Sequence, residues 1–308
     1  MSKSSSAHII QSLIVNILIA LAKGVAAIIT KSGAMLAETI HSFADCANQG
    51  LLLLGVKKSE KPANSKHPLG YGREIYFWSF MVAMLLFSIG GMFSIYEGIH
   101  KFENPEPVKN VEWGLGILLL SLILEGYATY SNIIEINIRR KTKGFFQFIK
   151  TTKDSDLVVI FGENSAAVLG LSLAIIALLA AYYKDDGRYD AVGSFAIGLV
   201  LIAVAIFLAR EVKSLLIGES ADEEITTSTK KIIENHSEII QLINIITIQE
   251  GPGKVLICLK IKCKPNLNAV EISNLINSFE KDIRAAHPEV KWIYIEPDMQ
   301  EWKNKKLV

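Results

Sequence analysis

Cysteine is scarce: three residues in 308, Cys46, Cys258 and Cys263, with no CxxC pair. So odd and sparse a set excludes a disulfide framework. It points to a reducing compartment for the tail that carries Cys258 and Cys263. Surplus charge is also lacking. With 32 Lys and Arg against 31 Asp and Glu, the net charge is +1, without the basic footprint of a nucleic-acid binder. No GxxxxGK[ST] run occurs, which argues against direct ATP drive. The lack of GxSxG and HExxH points away from an enzyme, and nothing calls for a cofactor. Gly251-Pro252-Gly253 suits a hairpin turn better than a phosphate cradle. Low-complexity segments and short-period repeats are missing.

What the chain has is hydrophobicity in long blocks. Half of its residues are hydrophobic, and the charges are segregated into short loops and a more polar tail. A membrane-spanning helix needs about 20 mainly apolar residues. Six windows meet that length, at 8–30, 34–56, 76–99, 113–137, 157–183 and 190–212. The first is too long for a signal-peptide core and reads as a retained span. Gly90-Gly91 and the Gly193 to Gly198 segment would let helices pack closely. Tyr76, Phe77, Trp78, Trp113, Tyr182 and Tyr183 stand at span ends, as an interfacial belt requires. Lys57, Lys58, Lys61, Lys66 and Arg73 follow the second span; Arg139, Arg140, Lys141, Lys143, Lys150 and Lys153 follow the fourth. The positive-inside rule then puts both termini in the cytoplasm.

The division falls at 217/218, with a six-helix transport domain over 1–217 and a cytoplasmic α+β domain over 218–308. In the tail, 221–235 reads as a helix, 240–249 and 254–263 as strands, 268–286 as a helix and 290–295 as a last strand. That order suggests a ferredoxin-like module.

The chemistry concentrates in the second span. His41 and Asp45 are four residues apart and share one helix face, with Glu38 a turn earlier. Imidazole and carboxylate form an ordinary ligand pair for Zn²⁺ and its first-row neighbours. Ionisable groups inside a membrane are costly and therefore mark function. In the fifth span, Glu163 either lies at the helix end, where an acid suits the dipole, or sits a couple of turns inside if the helix starts near Ser155. Its ligand role is favoured because His41 and Asp45 alone supply too few donors for a four-coordinate ion. Glu125, midway along the fourth span, either lines a wet path or pairs with a base. Asp190 reads as a cap of the sixth span, and His67 as a solvated loop residue. The candidate metal set is His41, Asp45 and Glu163.

The stretch His41-Ser42-Phe43-Ala44-Asp45 with Asn48-Gln49, then Lys66-His67-Pro68-Leu69-Gly70-Tyr71-Gly72-Arg73-Glu74 and Tyr76-Phe77-Trp78, resembles the cation diffusion facilitator family, in its zinc transporter nine-like branch. Leu215-Leu216-Ile217-Gly218-Glu219 is similar too. The resemblance covers essentially the whole chain. It implies a homodimeric secondary transporter that exports a divalent metal ion from the cytoplasm against protons by alternating access. Its site would be shared by the second and fifth spans. Zn²⁺ is the expected cargo, and the same donors accept Fe²⁺, Co²⁺, Mn²⁺ and Ni²⁺. The commoner fifth-span pattern of the family is absent, with Phe161 and Ser165 at its positions and Asn164 in place of this branch's Asp. Tyr71, Leu259 and Tyr294 replace histidines of auxiliary sites, which argues against a binuclear zinc site in the tail. The expected setting is the plasma membrane of a bacterium, with an organelle as the alternative, and the tail is expected to join two protomers. A non-transporting membrane scaffold or metal-responsive regulator is the alternative.

Overall fold

A computed structural model of the chain describes residues 3–140, 144–153 and 155–298, with side chains from Asn16 onward except that of Asp156. Lys141, Lys143 and the side chain of His8 lie outside the described part. Every apolar window forms a helix. They are α1 (Lys3–Thr30), α2 (Gly33–Ser59), a rod of α3 (Glu74–Leu85), a π-helical segment at Leu86–Met92 and α4 (Phe93–Glu103), then α5 (Val111–Arg139). A short α6 (Phe145–Thr151) leads to α7 (Ser155–Lys184) and α8 (Arg188–Ile217). Four stretches, Glu74–Glu103, Val111–Arg139, Leu157–Lys184 and Arg188–Ile217, are long and apolar enough to cross a membrane. The described apolar part of α1 is shorter, at Asn16–Thr30. In α2, polar and charged residues from Glu38 to Lys58 dilute the apolar run. The chain thus holds a helical membrane domain.

Two compact units emerge, and neither is contiguous in sequence. One comprises Met1–Lys57, Tyr76–Lys150 and Asp154–Lys213; the other comprises Lys58–Ile75, Thr151–Lys153 and Ser214–Val308.

In the helical unit, α5 packs on α1 and α7. The α3–α4 rod meets α8 at glycines. A Cβ at Gly98 would lie 2.6 Å from the Phe195 nitrogen, and one at Gly91 would lie 2.5 Å from Ile202 Cγ1. The backbones approach closely because those side chains are missing. Asp190 departs from the sequence expectation. It sits in the first turn of α8, but its carboxylate accepts from Ser32 Oγ and from the Gly33 N–H, each at 2.5 Å. It therefore caps α2, whose first N–H groups have no partner within their own helix, while Ser32 Oγ accepts from the Met35 N–H at 3.0 Å.

The second unit holds α9 (Glu223–Glu234), β1 (Ile239–Gly251), β2 (Lys254–Cys263), α10 (Ala269–Ala286) and β3 (Val290–Pro297). The sheet order is β1-β2-β3, antiparallel between β1 and β2 and parallel between β2 and β3. The parallel pair requires the α10 crossover. Asn268 and Glu271 start α10 with a reciprocal capping box. Ile225, Ile233, Ile257, Ile261, Phe279 and Ile283 belong to one apolar core. The loop after α2 belongs to this unit and docks on the β1–β2 turn. A Cβ at Gly72 would lie 2.2 Å from the Glu250 carbonyl oxygen, and Gly251 adopts φ +153° against Gly72. Arg73 Nη2 donates to Glu250 Oε1 at 2.8 Å, and Lys254 Nζ to the Ser59 carbonyl at 2.9 Å.

Candidate metal site

Helical geometry carries His41, Asp45 and Asn48 to within about 60° of one another around α2. His41 is fully buried, and its Nδ1 lies 3.5 Å from Asp45 Oδ1. Neither ring nitrogen has a hydrogen-bond partner, nor does Asp45 Oδ1, although all three atoms are out of solvent. Leaving such groups unpaired costs roughly 1–3 kcal/mol each, so their clustering calls for a functional explanation. Asp45 keeps 19% of its side-chain exposure.

Glu163 lies eight residues beyond the start of α7 at Ser155, about 12 Å along the axis at 1.5 Å per residue. Of the two sequence readings, the inner position holds. Its side chain is buried at 8% exposure, and its Oε1 accepts from Asn48 Nδ2 at 2.7 Å. Asp45 and Glu163 line one cavity of about 660 Å³, together with Asn16, Glu125, Asn132 and Asn164. Glu125 therefore lines that cavity, the first of its two sequence readings. The structure brings His41 to Asp45, and brings Asp45 and Glu163 to one cavity. Among the described residues, no three His, Cys, Asp or Glu side chains are arranged to hold a metal ion together.

One residue that sequence reasoning passed over changes the picture of Glu38. Lys23 of α1 is buried, and its Nζ donates to Glu38 Oε2 at 3.3 Å and to Ser42 Oγ at 2.8 Å. Glu38 shares the face of His41, yet it is engaged with an ammonium. Its other oxygen lies against Gly170 of α7, where a Cβ would come within 2.3 Å. The signal was available in the sequence: a lysine inside an apolar run is as conspicuous as an acid there.

Elsewhere, His67 is exposed and rests its ring 4.3 Å from that of Tyr71. His236 pairs with Asp282 at 3.0 Å and His287 with Glu289 at 3.1 Å. Leu259 is buried in the tail core, and Tyr294 is exposed on the sheet. Lys260 lies between Asp298 and Glu296, whose hydrogen bonds hold its ammonium pKa above the usual lysine value. Burial pushes the Cys263 thiol up.

A model of the cation efflux transmembrane domain matches residues 9–217. The chain is 31% identical over 235 residues to the proton-coupled zinc antiporter SLC30A9, mitochondrial, of Homo sapiens, covering 76% of this chain and 41% of that protein. It is 30% identical over 226 residues to metal tolerance protein C4 of Arabidopsis thaliana, covering 73% and 50%. With the uncharacterized transporter MJ0449 of Methanocaldococcus jannaschii it shares 23% identity over 271 residues, covering 87% and 89%. The chain thus spans 41% of the zinc antiporter's length and 50% of the metal tolerance protein's.

Proposed function

Because the chain belongs to the cation efflux family, we propose that it is a secondary transporter that exports a divalent transition-metal ion, Zn²⁺ foremost, in exchange for protons by alternating access. One observation carries this reading. An imidazole and a carboxylate, 3.5 Å apart on α2, keep buried polar atoms unpartnered beside a cavity that reaches Glu163. A cation is the partner that neutral or anionic donors of this kind lack. His41, Asp45 and Glu163 are the ligands in this reading. They stand on two helices, α2 and α7, so in this reading a change in how those helices cross couples binding to a change of access. Protons compete for the same atoms, since imidazole and carboxylate bind metal only when deprotonated. Zn²⁺ is the cargo, not a resident cofactor. Fe²⁺, Co²⁺, Mn²⁺ and Ni²⁺ are competitors for the same nitrogen and oxygen donors.

The 1–217 part carries transport and the 218–308 part assembly. The sheet face bearing exposed Ile246 and Tyr294 is the surface through which two protomers join. In this reading both termini face the cytoplasm, on the strength of the loop charges, and the membrane is the bacterial plasma membrane, with an organelle membrane as the alternative. The similarity to a named zinc antiporter supports cargo and coupling alike.

Proteoliposomes with an imposed pH gradient supply the test. The wild type should move Zn²⁺ with counter-movement of protons, and Asp45→Ala and Glu163→Ala should not. Undiminished flux in Asp45→Ala removes the assignment. A complete absence of flux in the wild type favours the scaffold reading.

A further inference from the structure

We propose that Asn48 is a positioning residue of this site: its amide turns the Glu163 carboxylate of α7 toward α2 and so joins the donors of the two helices. The proposal rests on the assignment of Glu163 as a ligand. Asn48 is fully buried. Its Nδ2 donates to Glu163 Oε1 at 2.7 Å, while its own Oδ1 is buried without a partner. A metal ligand is ionised, and toward an ionised Glu163 the amide presents its Nδ2. A flipped side chain would set an oxygen 2.7 Å from a carboxylate oxygen and gain nothing. The carboxylate is therefore what holds the amide, and the amide in turn removes rotational freedom from the carboxylate. Such outer partners of metal ligands orient the ligand before the ion arrives, and their loss typically weakens metal binding 10- to 100-fold.

The position on the helix explains why Asn48 has this role. It lies three residues beyond Asp45 on the same face of α2, so the group that steers Glu163 moves with His41 and Asp45. Residue type matters equally. An aspartate would set two carboxylates against each other, and a leucine would leave Glu163 without its donor. The Asn48 amide thus links the α2 face to the proposed α7 ligand by a hydrogen bond.

Metal affinity of the purified full chain in detergent tests this, read by competition with a chromophoric chelator and by the visible bands of bound Co²⁺. Asn48→Leu should weaken Zn²⁺ binding roughly 10- to 100-fold, with the metal-free chain still unfolding cooperatively. In a Glu163→Gln background the same substitution should change affinity by less than about twofold, because the ligand through which it acts is already altered. The Co²⁺ spectra of Asn48→Leu and Glu163→Gln should match each other and differ from the wild type. If Asn48→Leu fails to fold, Asn48→Ala takes its place in the same cycle. The proposal is overturned by a loss under about threefold in the wild-type background, by an equal loss in both backgrounds, or by an unchanged Co²⁺ spectrum. Asp45→Ala separates the two readings. If it abolishes binding while the cycle fails, only the role of Asn48 falls. If it leaves binding intact, the site itself was misassigned.

Discussion

At the scale of single residues, chemistry follows from which polar atoms burial leaves unpaired. His41 and Asp45 could be named from their spacing, because a four-residue interval on a helix is a statement about faces. The outcome for Glu38 could not. It lies on the same side of α2, but the lysine that engages it comes from another helix, and spacing along one segment says nothing about its neighbours. The cysteines make a second residue-level case. The Cys263 thiol is buried and its pKa is raised. The thiolate is the nucleophile, so a raised pKa lowers its population at neutral pH. Iodoacetamide at pH 7 should therefore alkylate half-buried Cys258 before Cys263. Mass spectrometry of the folded chain would show the order, and equal labelling would contradict the burial described for Cys263.

At the scale of elements, the helices are joined by a few polar bridges and by glycine contacts. Lys23 ties α1 to α2. Substituting Lys23→Met removes one partner of a buried pair and should cost about 3–5 kcal/mol. The double substitution Lys23→Met with Glu38→Met should recover most of that loss. Unfolding of the variants in detergent measures both, and a single substitution without effect would mean that the pair contributes nothing. The glycines differ among themselves. Gly98→Leu drives side-chain atoms into the α8 backbone near Phe195 and should destabilise by about 1–3 kcal/mol or more. Gly116 of α5 has open space where a Cβ would go, so Gly116→Ala should not lower the melting temperature and should stabilise by up to about 1 kcal/mol. Runs of hydrophobicity revealed where the helices lie, and their bounds match the windows within a few residues at described ends. Which glycine touches which helix was hidden, because that depends on how rods cross.

At the scale of the whole molecule, the order of elements in the tail was legible from strand alternation and the glycine turn. The membership of the loop at 58–75 was not. Its lysines read as topology signals, yet Gly72 and Arg73 meet the β1–β2 turn through a backbone contact and an ion pair. Contacts separated by 177 residues leave no periodic trace in a sequence. Replacing Arg73 by Glu sets like charges together at Glu250 and should speed tryptic cleavage at Lys58, Lys61 and Lys66. Gel analysis of the digest checks this, and an unchanged rate would show that the turn is held without the ion pair. The cap that Asp190 places on α2 has a mechanical corollary. With the ties to Lys23 and Glu163 released, a rod still fastened at Gly33 behaves as a pendulum. Asp45 lies about 18 Å from that suspension point at 1.5 Å per residue. A swing of about ten degrees that keeps the fastening intact carries the carboxylate roughly 3 Å on that lever arm, more than the length of a metal–oxygen bond.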